Sequence, residues 1–311
     1  MGTKDGFPRR RAIWLGTTAL LGSLAATARA AAAGPVAQAP SAAAAKPKPR
    51  AKPRVVVIDP GHGGGDPGTI GVSGTYEKTV VMQVAVELAR QYQATGRYRP
   101  VLTRSRDSYL PLRDRVAHAR AAKADLFLSL HADWHPDSGT QGATVYTLSE
   151  DASDREAAAL AAKENKADVV AGVDFRGKPP EVASILIDLS QRETINQSRV
   201  FAGQLVDALA RGGVALLPRS HRYAGFAVLT APDTPAVLLE IGYMSNPREE
   251  RLMRQPAHQR RIAQSVLDAT DRYFASRPRP PEPSPSPPAV SKPGTGGTPP
   301  RTAAPPAPKK A

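Results

Sequence analysis

An α/β domain, built on a mostly parallel twisted sheet with helices on both faces, is the fold class that residues 54–276 predict. Three observations predict it. Short apolar runs of the buried-strand kind recur along the segment, amphipathic stretches of about 10–15 residues alternate with them, and several runs lead straight into polar or glycine-rich residues, as strand ends do in α/β sheets.

Residues 55–58, Val-Val-Val-Ile, read as the first strand and run into Asp59-Pro60-Gly61-His62-Gly63-Gly64-Gly65. Residues 77–92 follow as a helix, because Val80, Val81, Val84, Ala85 and Leu88 keep the i, i+3/i+4 spacing of one buried face. Glu77 then lies in the first turn. Residues 101–103 read as a second strand ending at Arg104, residues 112–122 as a second helix, and residues 126–130 as a strand ending on His131. Another strand is expected at 143–148. The rhythm breaks at 149–211, which is longer than an ordinary crossover: an Ala-rich helix at 153–170, a loop at 172–180 and one or two helices at 184–210. This stretch reads as a helical insertion, with 149–197 as its core. Strands are expected again at 226–229 and 236–241, and a closing amphipathic helix at 259–274.

The ends of the chain are different material. Arg9-Arg10-Arg11 precede a moderately apolar run at 12–28, and Ala28-Arg29-Ala30 has the small-x-small form of a cleavage site, so residues 1–30 read as an export signal. Gly16, Thr17, Thr18 and Gly22 interrupt the run, which argues against a membrane-spanning helix. Arg10-Arg11-Ala12-Ile13 resembles a twin-arginine signal, the route that exports folded proteins, with an ordinary secretory signal or retained anchor as the alternative. Residues 31–53, rich in Ala, Pro and Lys, read as a disordered linker, and residues 277–311 as a disordered Pro-rich tail that cannot bury enough apolar surface to offset ordering entropy. The net charge of +14 belongs mostly to these ends. They hold 15 of the 42 Lys and Arg against 2 of the 28 Asp and Glu, leaving 27 against 26 between them. A nearly neutral domain excludes nucleic acid as the partner of choice and leaves the basic ends to an anionic surface such as a cell-wall polymer.

His62, Glu77, His131 and Glu240 are the residues that carry chemistry in this reading. Each sits at a strand end or helix start on what should be one sheet edge, where side chains reach a crevice instead of the core. With no cysteine in the chain, imidazole and carboxylate are the available ligands, and both suit Zn²⁺. Glu240 stands in the apolar run 236–241, where partial burial would poise it as a general base, unless it simply pairs with a core arginine. Asp59 and Asp133 are candidates to orient the two imidazoles, with a turn cap as the alternative for Asp59. His118, His135, His221 and His258 are read as ordinary surface or core residues. The glycine run lacks the spacing of a dinucleotide fingerprint and the Lys-Ser/Thr ending of a P-loop, so a phosphate-binding module has weak support; its glycines are expected to let the backbone approach a bound substrate.

Taken together, Ile58-Asp59-Pro60-Gly61-His62-Gly63-Gly64, Glu77-Lys78, Thr103-Arg104, Ser129-Leu130-His131-Ala132, Gly142 and Pro235-Ala236-Val237-Leu238-Leu239-Glu240-Ile241-Gly242-Tyr243-Met244-Ser245-Asn246-Pro247 resemble the zinc-dependent N-acetylmuramoyl-L-alanine amidases of the periplasmic cell-division type. The resemblance implies that His62, Glu77 and His131 are zinc ligands and Glu240 the catalytic glutamate. It implies a peptidoglycan substrate, cleaved at the amide joining muramic acid to the first L-alanine of the stem peptide, in cell-wall remodelling and daughter-cell separation. It also implies that the helical insertion is autoinhibitory, with a glutamate able to fill the open zinc position until a LytM-type activator relieves it. Glu164 is the candidate for that glutamate, with Glu156 and Glu193 behind it. The chain departs from the pattern at Asp133, where Asn is usual, and at Arg120, where Asn is common, and residues 31–53 are only a linker where larger relatives carry a cell-wall-targeting β domain. A catalytically silent peptidoglycan-binding or regulatory protein is the alternative reading, opposed by the presence of all four key residues.

Overall fold

The computed structural model describes residues 52–170 and 188–278. The export signal, most of the linker, the loop expected at 172–180 and nearly all of the Pro-rich tail lie outside them. Within them, β1 (Arg54–Pro60), β2 (Tyr98–Leu102), β3 (Leu126–Asp133), β4 (Ala143–Leu148), β5 (Leu216–Ala224) and β6 (Ala236–Tyr243) form one sheet in the order β2-β1-β3-β6-β4-β5. Neighbours are parallel except at β4 against β6, so the sheet is parallel over four strands with a reversed pair at one side.

Period-two alternation assigns the two faces. Val56, Ile58, Leu126, Leu128, Leu130, Val237 and Leu239 point to one side, where α1 (Glu77–Thr95), α5 (Asp188–Arg211) and α7 (Pro256–Ala275) cover them through Val84, Leu88, Phe201, Leu205, Ile262 and Val266. Val57, Phe127 and Leu238 point to the other side, against α2 (Leu112–Ala121), α3 (Arg155–Glu164) and a 3₁₀ turn at Ala227–Leu229. Gly96, at φ 64°, ends α1 in the left-handed conformation that glycine adopts without a Cβ penalty. Two short helices, α4 (Ala167–Val170) and α6 (Pro247–Met253), complete the described elements.

The structure departs from expectation in three places. The run at 226–229 is not a strand: Phe226 is extended, but residues 227–229 make the 3₁₀ turn, with Phe226 and Leu229 buried under the sheet's second face. The strand in that part of the chain is β5, whose edge position leaves it mostly half-exposed and which contains Pro218 and a left-handed Arg219 at φ 56°. The helix expected at 153–170 is two pieces, α3 and α4, separated by a turn at Asn165-Lys166. Among the described residues, no helix is long and apolar enough to cross a membrane.

β1 is followed by β2 on one side and β3 lies on the other, so the chain reverses its direction of winding between β1 and β3. Open α/β sheets have a crevice at this point, beyond the carboxyl ends of the strands. His62 and His131 both lie there.

Candidate metal centre

His131 is the sixth residue of β3 and shares the face of Phe127, and in the ladder it stands directly opposite Glu240 of β6. His62 comes from the loop after β1 and is held left-handed at φ 59°, a conformation that costs a non-glycine residue about 1–3 kcal/mol and persists only where surroundings enforce it. Arg115, fully buried in the first turns of α2, does the enforcing: its guanidinium donates to the carbonyls of Pro60 (2.9 Å), His62 (2.9 Å) and Leu110 (2.8 Å) and to Asp59 Oδ1 (2.9 Å). Arg104 adds bonds to the carbonyls of Pro60 (2.9 Å) and Gly61 (2.7 Å). A Cβ at Gly61 would collide with the His131 ring, and one at Gly68 (φ 69°) would lie 2.6 Å from His62 Cδ2. Gly61 and Gly68 therefore make room for the site's own side chains, whereas Gly63 and Gly64 lie against the backbone of Ser108 and Tyr109.

Four donor atoms converge. His62 Nε2 is 3.0 Å from Glu77 Oε1 and 3.4 Å from Glu164 Oε2, and His131 Nδ1 is 3.1 and 3.2 Å from the same two oxygens. Around a tetrahedral zinc with bonds of about 2.0 Å, donors sit about 3.3 Å apart, so these separations fit one small ion shared among them. Two of the atoms, His62 Nε2 and Glu164 Oε2, are buried without a well-formed hydrogen bond, although each faces the other. His62, His131 and Glu164 also stand out together as a buried group with donor atoms within 4.8 Å of one another.

The electrostatics ask for a cation. Burial alone would push both imidazoles down, but Glu77, Glu164 and the Asp66 hydrogen bond raise His62 to about 9, and Glu164 and Glu77 raise His131 well above its ordinary value. Burial would raise the carboxyl of Glu164, yet His131 and His62 bring it down to about 2. Two carboxylates facing two imidazoles thus favour positive charge at this point.

Sequence reasoning brought His62, Glu77, His131, Glu164 and Glu240 to one place, and the structure does the same. Glu156 and Glu193 go elsewhere: Glu156 pairs with Arg222 at 2.8 Å, and Glu193 is exposed and accepts from Gln197. Asp59 does not orient an imidazole. Its carboxylate takes Thr103 Oγ1 (2.6 Å), Ser129 Oγ (2.8 Å) and Arg115. Asp133 does not either; it accepts from Trp134 N and pairs with Lys163 at 3.4 Å. The residue that fixes an imidazole is Asp66, 2.8 Å from His62 Nδ1, and the signal for it was an acid four residues after the histidine within the same glycine-rich loop. Glu240 is fully buried, and neither carboxylate oxygen has a hydrogen-bond partner among the described residues. Burial and then the neighbouring Asp133 push its carboxyl well above the usual range, and among the described residues no arginine pairs with it.

Residues 56–272 match the profile of the N-acetylmuramoyl-L-alanine amidase family, Amidase_3. The chain is 37% identical over 260 residues to an amidase, AmiC, of Neisseria meningitidis, covering 82% of this chain and 61% of that one. It is 39% identical over 225 residues to AmiA of Escherichia coli, covering 71% of this chain and 76% of the relative. Among solved structures, the catalytic domain of CwlV from Bacillus (Paenibacillus) polymyxa aligns with a TM-score of 0.51 at 28% identity, over 71% of this chain and 98% of that one. The chain belongs to the N-acetylmuramoyl-L-alanine amidase family. It spans 61% and 54% of the length of two AmiC relatives, from N. meningitidis and E. coli.

Proposed function

We propose that this chain is a zinc-dependent N-acetylmuramoyl-L-alanine amidase that hydrolyses the amide between muramic acid and L-alanine of peptidoglycan. The observation that carries the reading is the convergence of His62 Nε2, His131 Nδ1 and Glu77 Oε1 beside a fully buried Glu240 whose two oxygens have no hydrogen-bond partner among the described residues. His62, Glu77 and His131 would hold the metal, which when bound supplies Lewis-acid polarisation of the scissile carbonyl and a more acidic water. Asp66 fixes the His62 ring, and the Thr69 and Ala132 N–H groups fix the Glu77 carboxylate at 2.7 and 2.8 Å. Glu240, raised by burial, accepts the proton of the attacking water and returns it to the leaving nitrogen.

Glu164 is the regulatory contact in this reading. Its Oε2, 3.4 Å from His62 Nε2 and 3.2 Å from His131 Nδ1, could take a ligand position that a catalytic zinc would otherwise leave to water, so α3 would hold the resting enzyme slow until an activator of the LytM type displaces it. The setting is periplasmic cell-wall remodelling and daughter-cell separation, reached through export of the folded chain by the twin-arginine route.

New N-terminal alanine released from purified sacculi is the direct measurement, made with the parent chain and with Glu164→Ala. Release should depend on one bound zinc and disappear with chelator. Glu240→Gln should keep the zinc and lose about 10²–10⁴-fold in turnover, the usual share of a general base. No alanine release from either zinc-loaded chain would sink the amidase reading, and near-normal turnover in Glu240→Gln would remove that residue from the chemistry.

A further inference from the structure

The segment that covers the metal centre inserts two neighbouring side chains, and only one faces the metal ligands. Glu164 Oε2 lies against the imidazoles. Lys163 lies beside it, and its Nζ is 3.0 Å from Thr69 Oγ1, 3.4 Å from Asp133 Oδ1 and 3.3 Å from Glu164 Oε1. Thr69 and Asp133 are buried, 6% and 8% exposed, and come from different elements: the loop before α1 and the end of β3. Thr69 is the residue whose N–H fixes Glu77, and Asp133 follows His131 by two on the strand, so both are tied to the ligands by backbone. A carboxylate and a hydroxyl, buried beside the centre and converging on an ammonium, are the makings of a pocket for an amine.

The reaction proposed above makes an amine at this place. Hydrolysis breaks the C–N bond, puts the hydroxyl of water on the carbonyl carbon and its proton on nitrogen. The free α-amine, with an ordinary pKa of about 7.7–8.0, then takes up a second proton from solvent near neutral pH. We propose that Asp133, with Thr69, is the subsite for the leaving amine of the L-alanyl peptide, and that Lys163 occupies it in the covered state as an internal stand-in. Asp133 is then a catalytic residue that receives the nitrogen as it gains hydrogen, and α3 blocks two positions of the site with two consecutive side chains. This inference rests on the amidase reading and on α3 being displaced in the working enzyme.

The test uses the zinc-loaded full chain with the two covering side chains removed, Lys163→Ala/Glu164→Ala, and a short synthetic L-alanyl peptide beside the same peptide N-acetylated, both titrated by calorimetry at pH 7. The free-amine peptide should bind about tenfold or more tightly than the acetylated one, the range of a charge-assisted hydrogen bond. The parent, its subsite filled by Lys163, should not discriminate. Adding Asp133→Asn should erase most of the preference while zinc content stays at one. Thr69→Val, which removes only the hydroxyl, should lower the preference in the same direction and serves if Asp133→Asn does not fold, an unchanged preference then overturning the assignment. Equal binding of the two peptides by the cleared chain, or a preference that survives Asp133→Asn, overturns it. Release of N-terminal alanine from sacculi by the cleared chain reads the amidase function separately, so the subsite can fail while the enzyme stands.

Discussion

Glu77 and Glu164 face the same two imidazoles, and their other contacts support the proposal that the first is a resident ligand and the second a removable one. Glu77 receives two backbone N–H bonds, from Thr69 and Ala132, and sits on α1, whose apolar face is fully embedded in the core. Glu164 is the last residue of a ten-residue helix, and among the described residues its second oxygen pairs with the ammonium of Lys163, whose side chain is 43% exposed. Removing the first should therefore cost metal affinity, and removing the second should cost little. Chelator-competition titrations should show Glu77→Gln weakening zinc by at least tenfold and Glu164→Gln by only a few fold; equal losses would make both resident ligands and leave no open position. At this scale the meeting of His62, His131 and Glu240 at one sheet edge was legible in the sequence because strand ends announce themselves by an abrupt change from apolar to polar. Asp66 was missed, since the loop that brings it back onto His62 Nδ1 at 2.8 Å leaves no periodic trace, and its spacing of four from the histidine was the one signal available.

Elements differ in how they are tied down, and the covering segment is tied at more than its glutamate. Asn165 donates to Gly225 O and accepts from Ala227 N, both at 2.8 Å, which joins the α3–α4 turn to the 3₁₀ turn. Asp168 of α4 accepts from the hydroxyl of Tyr109 and, at 2.9 Å, from Leu112 N at the start of α2, one of the N–H groups a helix N-terminus leaves unpaired. Cutting out the segment would expose that terminus as well as the metal centre, so a point substitution is the cleaner probe. Glu164→Ala should raise basal hydrolysis of sacculi without any activator, with thermal stability close to that of the parent, whereas excision of residues 153–170 should raise activity and lower stability together. A folded, zinc-loaded Glu164→Ala chain as slow as the parent would show that α3 does not restrain the enzyme. The same contacts explain which elements escaped the sequence. The turn at 227–229 carries the alternation-free apolar residues of a strand but is set by its neighbours, and β5, an edge strand with Pro218 and a left-handed Arg219, has no alternation to read.

Across the molecule, one buried group joins the parts that make the crevice. Asp59, at the end of β1, binds Thr103 just after β2, Ser129 of β3 and Arg115 of α2, and Arg115 in turn grips the carbonyls that hold His62 in its strained conformation. Sheet, helix and metal loop thus depend on a single ion pair with almost no solvent contact. Burial opposes the charge on Asp59, but the Arg115 guanidinium and the two hydroxyls outweigh it and hold the carboxyl below its ordinary value of 3.8. A carboxyl lowered in the folded state stabilises the fold above its unfolded pKa, and that contribution is lost as pH falls through the folded one. Asp59→Asn leaves the Arg115 charge buried and unpaired, so at pH 7 it should cost about 3–5 kcal/mol. As the solution is acidified below about pH 4 the parent protonates the same group, and the gap between the two chains should close. Urea unfolding of both chains in chelator, at pH 7 and stepwise down to pH 3, measures this directly: a gap that stays constant over that range would mean that Asp59 acts by shape alone and that its charge does not bind the crevice together.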